Sequence, residues 1–83
     1  MPPYPTVDES LDRLHRAGWS IGDTAFGVET ALVWLVSGSN GENRIEARGA
    51  SRAEAYWRAC CQAREVGMLA PPATGASGYA WPR

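Results

Sequence analysis

The sequence predicts an α+β domain: two helices flanking a three-stranded antiparallel meander, in the order α-β-β-β-α, with both helices on one face of the sheet. Three observations carry this expectation. The prolines fall at positions 2, 3, 5, 71, 72 and 82, so the stretch from 6 to 69 is free of a residue that interrupts helices and sheet interiors. Two capping boxes, Thr6-Val7-Asp8-Glu9 and Ser51-Arg52-Ala53-Glu54, each open a helical pattern. Between them lies β-type sequence with Asn40-Gly41, a strong hairpin signal, flanked by apolar runs.

The first helix is expected over about Val7 to Ala17, stopping at Gly18. Val7, Leu11 and Leu14 share its apolar stripe, while Glu9–Arg13 and Asp12–Arg16 sit at i,i+4 on the wet side. The first strand is "WSIGDTAF", Trp19 to Phe26, with Gly22 marking a bulge or bend and "GVET" turning the chain into the second strand. With Asn40-Gly41 as the next turn, Ser39 pairs with Glu42, Val36 with Ile45 and Trp34 with Ala47. Alternation then places Leu32, Trp34, Val36, Ile45 and Ala47 toward the helices. Val33, Leu35, Arg44, Glu46 and Arg48 take the other face.

The second helix is expected over about Arg52 to Val66, with Gly67 as its C-terminal cap. At ~100° per residue, Tyr56, Ala59, Cys60, Ala63 and Gly67 cluster on the buried side, with Ala55 and Val66 at its edge. Cys60 therefore enters the core as a small apolar group, and Cys61 points largely outward. Adjacent helical positions diverge too far to share a metal or an unstrained disulfide. Residues 1–5 read as an N-terminal extension. Residues 70–83, "APPATGASGYAWPR", read as a Pro/Gly/Ala-rich flexible tail with two aromatic anchors, Tyr79 and Trp81.

The chain has 83 residues and a formal net charge of -1, and all eight of its Lys+Arg positions are arginine. That length allows one domain whose folding buries only about 60% of the unfolded surface. The charge implies no strong electrostatic partner. The longest apolar run, Ala31 to Val36, is far short of the ~20 residues of a membrane span. Two cysteines without an export signal point to the cytoplasm and free thiols. No catalytic or metal-binding constellation is expected, and no cofactor. His15 is the only histidine, and Ser20, Asp23 and His15 have nothing to position them as a triad. The carboxylates are scattered rather than paired.

The element order resembles the double-stranded-RNA-binding-domain-like fold over 6–69. The closest local likeness is "GASRAEAYWRACCQA", Gly49 to Ala63, which looks like that family's glycine, serine and alanine-rich second helix. The resemblance implies a phosphate-straddling basic cluster at the start of that helix. Here Ser51-Arg52-Ala53-Glu54-Ala55-Tyr56 offers one arginine and a glutamate, so the clamp is not retained. Without its first helix the order also resembles integrase amino-terminal and plant AP2 modules, which implies reading of DNA by the sheet face. A nucleic-acid-binding alternative accordingly uses Arg44, Arg48 and Arg52. The expectation preferred here is a non-enzymatic protein-interaction domain that forms a homodimer or takes a protein partner. Its candidate contacts are Val33, Leu35, Trp57, Cys61 and Met68, with Tyr79 and Trp81.

Overall fold

A computed structural model describes residues 4–69; Tyr79, Trp81 and the rest of the expected tail lie outside the described residues. The elements are α1 (Val7–Arg16), β1 (Ser20–Val28), β2 (Ala31–Asn40), β3 (Asn43–Gly49) and α2 (Arg52–Glu65). The strands form one antiparallel sheet in the order β1-β2-β3. This is the α-β-β-β-α arrangement expected from the sequence.

Both helices start and stop by the same local chemistry. Thr6 Oγ1 accepts from the Glu9 amide and Ser51 Oγ from the Glu54 amide, each at 3.1 Å. At the C-termini, Gly18 and Gly67 take positive φ, 94° and 74°. Amide bonds from Trp19 to the Leu14 carbonyl and from Met68 to Ala63, beside Gly18 to His15 and Gly67 to Arg64, complete two Schellman motifs.

The β2–β3 register differs from expectation. Asn40 pairs with Asn43, Val36 with Ala47, Gly38 with Ile45 and Trp34 with Gly49. The two-residue turn is therefore Gly41-Glu42, with the positive φ, 64°, at Gly41. Asn40 remains in the strand because its side-chain amide is engaged elsewhere, donating to the Ala17 carbonyl at 2.9 Å. The slip moves every pairing by two residues, an even number, so each side chain keeps its face. The expected bulge at Gly22 is absent, since Gly22 pairs regularly with Ser37. Gly38 serves the core: a Cβ there would come within 2.3 Å of Ile21 Cδ1, so the missing side chain is the slot that Ile21 fills.

The core is Leu14, Trp19, Val36, Ile45, Ala47 and a face of α2 made by Ala55, Tyr56, Ala59, Cys60 and Ala63. The alanines at i, i+4 and i+8 bring α2 close to the sheet. A Cβ on Gly49 would meet the Ala55 nitrogen at 2.7 Å. Full burial of a side chain such as Leu14 or Val36 contributes about 1.5–3 kcal/mol.

Four further placements differ from the sequence reading. Arg13, expected on the wet side, is 6% exposed and joins Ser10 and Leu14 on the buried stripe of α1. Leu32 faces the helices, as alternation requires, yet is 54% exposed because the β1–β2 hairpin outruns the helix layer. Val66 is likewise exposed. Tyr4 and Pro5, read as part of an extension, belong to the packed chain: Pro5 is fully buried and Tyr4 lies against Trp57.

Candidate interaction surface

Antiparallel pairing decides which β residues share the side of the sheet that carries no helix. Phe26 stands opposite Val33, Thr24 opposite Leu35, and Val28 opposite Ala31. Cross-strand partners project to the same side. These three rungs form one contiguous apolar patch at the β1–β2 turn end, with Phe26, Val33 and Leu35 half-buried and Val28 exposed. The Arg48 guanidinium lies 6.0 Å from the Phe26 ring centre and 3.9 Å from the Glu46 carboxylate. Arg48 thus caps the patch from β3, opposite Leu35.

The other half of the open face is small and polar. Ser20, Gly22, Ser37, Ser39, Arg44 and Glu46 surround a depression of about 530 Å³. It exists because serines and a glycine stand where bulkier strand residues would fill the surface. A second notch, about 320 Å³, opens where β3 ends at Gly49 while β2 continues through Ala31, Leu32 and Val33.

The two outer edges of the sheet are treated differently. On β3 the Gln62 side chain of α2 takes the place of a neighbouring strand: its Oε1 accepts from the Glu46 amide at 3.0 Å and its Nε2 donates to the Glu46 carbonyl at 2.6 Å. Among the described residues no side chain does this for β1. Seven of the nine β1 residues are exposed, the exceptions being Ile21 and Phe26.

The three arginines of the nucleic-acid alternative are not brought together. Arg44 and Arg48 stand on the open face. Arg52 begins α2 on the helix side, where its guanidinium is 3.0 Å from the Asp23 carboxylate and 5.6 Å from the centre of the Tyr56 ring. The Tyr56 hydroxyl donates to the same carboxylate. That bond, with Arg52, holds the Asp23 carboxyl below its ordinary range. Burial, then the bond to Asp23, pushes the Tyr56 hydroxyl up to about 12. Asp23 and Ser20 point to opposite faces of β1, so they do not meet in one site.

The expected Trp57–Cys61–Met68 edge divides. Trp57 packs against Tyr4 with ring centres 5.3 Å apart and ring planes tilted by 47°. The Tyr4 hydroxyl donates to Glu54, whose carboxylate also accepts from the Ala50 amide and from Arg58. The Ala50 amide is the largest cause of the depressed Glu54 pKa. Cys61 is half-buried beside this group. Met68 instead packs against the core, with its carbonyl accepting from Trp19 Nε1 and its sulfur 3.1 Å from the Asn43 amide.

Phe26, the Gln62 clamp and the Asp23–Tyr56–Arg52 group escape the sequence reading. Phe26 alone had a legible signal: closing the turn at Glu29-Thr30 sets it opposite Val33. Among the described residues no cluster of His, Cys, Asp and Glu is arranged to hold a metal ion, and no helix is long and apolar enough to cross a membrane. No family model, curated protein or solved structure matches the chain.

Proposed function

We propose that this chain is a non-enzymatic protein-interaction domain that associates with a second copy of itself through the uncovered side of the β1–β2 hairpin. The observation that carries this reading is the contiguous patch of Phe26, Val28, Ala31, Val33 and Leu35, three successive rungs that no helix covers. Apolar groups gathered in one patch, rather than scattered, mark a surface that becomes buried in association. A chain this short gains from such burial because its own core is small.

The alternative of duplex binding requires several cations on one phosphate track. Arg52 is committed to Asp23 and stands on the other side of the sheet from Arg44 and Arg48. Glu46 lies between those two on β3.

Light-scattering mass after gel filtration, at several concentrations and with or without mixed duplex RNA at low salt, tests the reading. The expected result is a concentration-dependent rise to twice the chain mass, indifferent to RNA and abolished by Leu35→Glu. A monomer that co-elutes with duplex, and loses that binding on Arg48→Ala, overturns it.

A further inference from the structure

The two outer edges of the sheet differ in what they leave free. The two-residue turn at Glu29-Thr30 makes Val28 and Ala31 a hydrogen-bonded pair, and the antiparallel ladder alternates from there. The amides and carbonyls of Ile21, Asp23, Ala25 and Gly27 consequently point away from β2. The same alternation on β3 turns the Glu46 backbone outward, which is where Gln62 meets it. β3 is thus closed at its middle, whereas β1 offers four consecutive outward rungs.

Two glycines on β1 have no explanation within one copy. Gly22 and Gly27 lie outside the positive-φ set, and a Cβ built on either meets nothing within 4 Å. Glycine weakens a strand interior, so side chains are missing where the monomer would tolerate them. Gly22 lies two residues before Thr24 and Gly27 three after it, so an antiparallel pairing of β1 with itself about Thr24 sets Gly22 opposite Phe26 and Gly27 opposite Ile21.

We infer that β1 of one copy pairs antiparallel with β1 of a second copy, Thr24 opposite Thr24 on the two-fold axis, making one continuous six-stranded sheet. This rests on the self-association reading above and moves its contact: the copies meet along the β1 edge, which Phe26 borders, while Val33 and Leu35 stay on the open face. A dimer that is lost on Leu35→Glu and does not cross-link at 24 is therefore joined by that face instead. In this register Asp23 stands opposite Ala25 and Ile21 opposite Gly27, so all four outward rungs of each copy are satisfied. On the open face Phe26 stands opposite Gly22, where its ring covers the glycine at the border of the 530 Å³ depression. Each bulky side chain meets a small one. The alternatives centred on Asp23 or Ala25 bring two Asp23 residues into direct opposition, or leave Ile21 without a partner rung.

Charge and area agree with this register. Asp23 is the only charged residue on β1, and an inward-pointing charge ordinarily guards an edge. Here it is neutralised by Arg52 and turned onto Tyr56, and the register sets it against alanine rather than its own copy. A stable association buries on the order of 800 Å² per partner, about a sixth of the 5109 Å² surface of the described chain. A nine-residue edge, roughly 30 Å long at ~3.3 Å per residue, approaches that value only with side chains joining on both faces. Phe26, seated over the partner's Gly22, joins on the open face; on the helix face Asp23 and Ala25 meet their counterparts, while Ile21 stays in the Gly38 slot of its own sheet.

Cross-linking at the axis tests the register. A non-hydrogen-bonded pair brings its Cα atoms to about 4.5 Å, within the span of a disulfide. Thr24→Cys in a Cys61→Ser background is expected to form a disulfide-linked dimer on mild oxidation. Phe26→Cys, about 13 Å from its counterpart along the strands, is expected not to. In reducing buffer, Thr24→Glu and Thr24→Lys are each expected to weaken the dimer about tenfold or more by setting like charges opposite, and their mixture to restore it. A dimer by mass that neither cross-links at 24 nor responds to the charge pair overturns the register and leaves self-association standing. A chain that stays monomeric at every concentration overturns both.

Discussion

Trp19 Nε1 donates to the Met68 carbonyl at 2.7 Å, tying the residue that follows the C-terminal glycine of α1 to the residue that follows the C-terminal glycine of α2. Each partner leaves its helix through a Schellman motif, so two locally determined stops become one tertiary contact. Trp19 is 3% exposed, and its ring seals that end of the core.

Trp19→Phe keeps an aromatic ring and removes the donor. A net hydrogen bond contributes about 0.5–1.5 kcal/mol, and the smaller ring sacrifices some packing. The expected loss is about 1–2 kcal/mol, or a fall in Tm of roughly 4–8 °C per kcal/mol for a domain of this size. Calorimetry on the variant checks it. An unchanged Tm would mean the two helix ends are held by packing alone.

The Asp23–Tyr56 bond gives stability a dependence on pH at both ends of the scale. The Asp23 pKa is depressed in the folded chain, by Tyr56 first and Arg52 next. As pH falls, the unfolded chain takes up this proton before the folded one does. The contribution is therefore whole above the ordinary carboxylate pKa of ~3.9 and is lost as pH drops through the depressed value. The Tyr56 pKa is raised to about 12, so its contribution is whole below the ordinary ~10 and is lost as pH climbs through the raised value. Urea midpoints measured across pH should show a flatter acid limb for Asp23→Asn and a flatter alkaline limb for Tyr56→Phe.

Features settled by neighbours along the chain were legible in the sequence, and those settled across it were not. Thr6, Ser51, Gly18 and Gly67 mark helix ends through bonds that span three to five residues. The sheet faces were also legible, because parity survives a slip of two. The slip itself traces to Asn40, whose amide is drawn to the Ala17 carbonyl 23 residues away. Arg13 looked like the mate of Glu9 at i,i+4, and only the position of α2 reveals that this flank of α1 is buried. On the candidate surface, Val33 and Leu35 followed from alternation. Phe26 required the β1 register, and Gln62 required α2 to be laid along β3.

The adjacent thiols should behave as two different reagents. Burial pushes the Cys60 thiol up to about 12, and its Sγ lies 3.5 Å from the Ser10 carbonyl. Cys61 is half-buried and its pKa is raised, again chiefly by burial. Thiolate is the reacting species. An aromatic disulfide reagent at pH 8 should therefore modify Cys61 first and more slowly than a free thiol, reaching Cys60 only at the rate of global opening. Cys61→Ser should remove the first phase, leaving a second phase that accelerates with urea. A fast second phase in the absence of denaturant would contradict the packing of α1 on α2.

Gln62 should matter more to what the domain excludes than to its stability. Two bonds to the Glu46 backbone at a surface strand contribute about 1–2 kcal/mol together, the low end for exposed groups. Their geometric effect is larger, because they occupy the middle outward rung of β3. With β1 paired about a two-fold axis, a free β3 edge would give every dimer two further sticky ends. β3 would then pair with β3 of another dimer, and two alternating two-fold contacts run on as an open chain. Gln62→Ala should speed exchange of the Glu46 amide hydrogen and shift the assembly from dimers to open-ended chains as concentration rises. Amide exchange by NMR and light scattering on the same sample separate the two effects. Faster exchange without larger assemblies would show that Arg44 and Arg48 suffice to guard that edge.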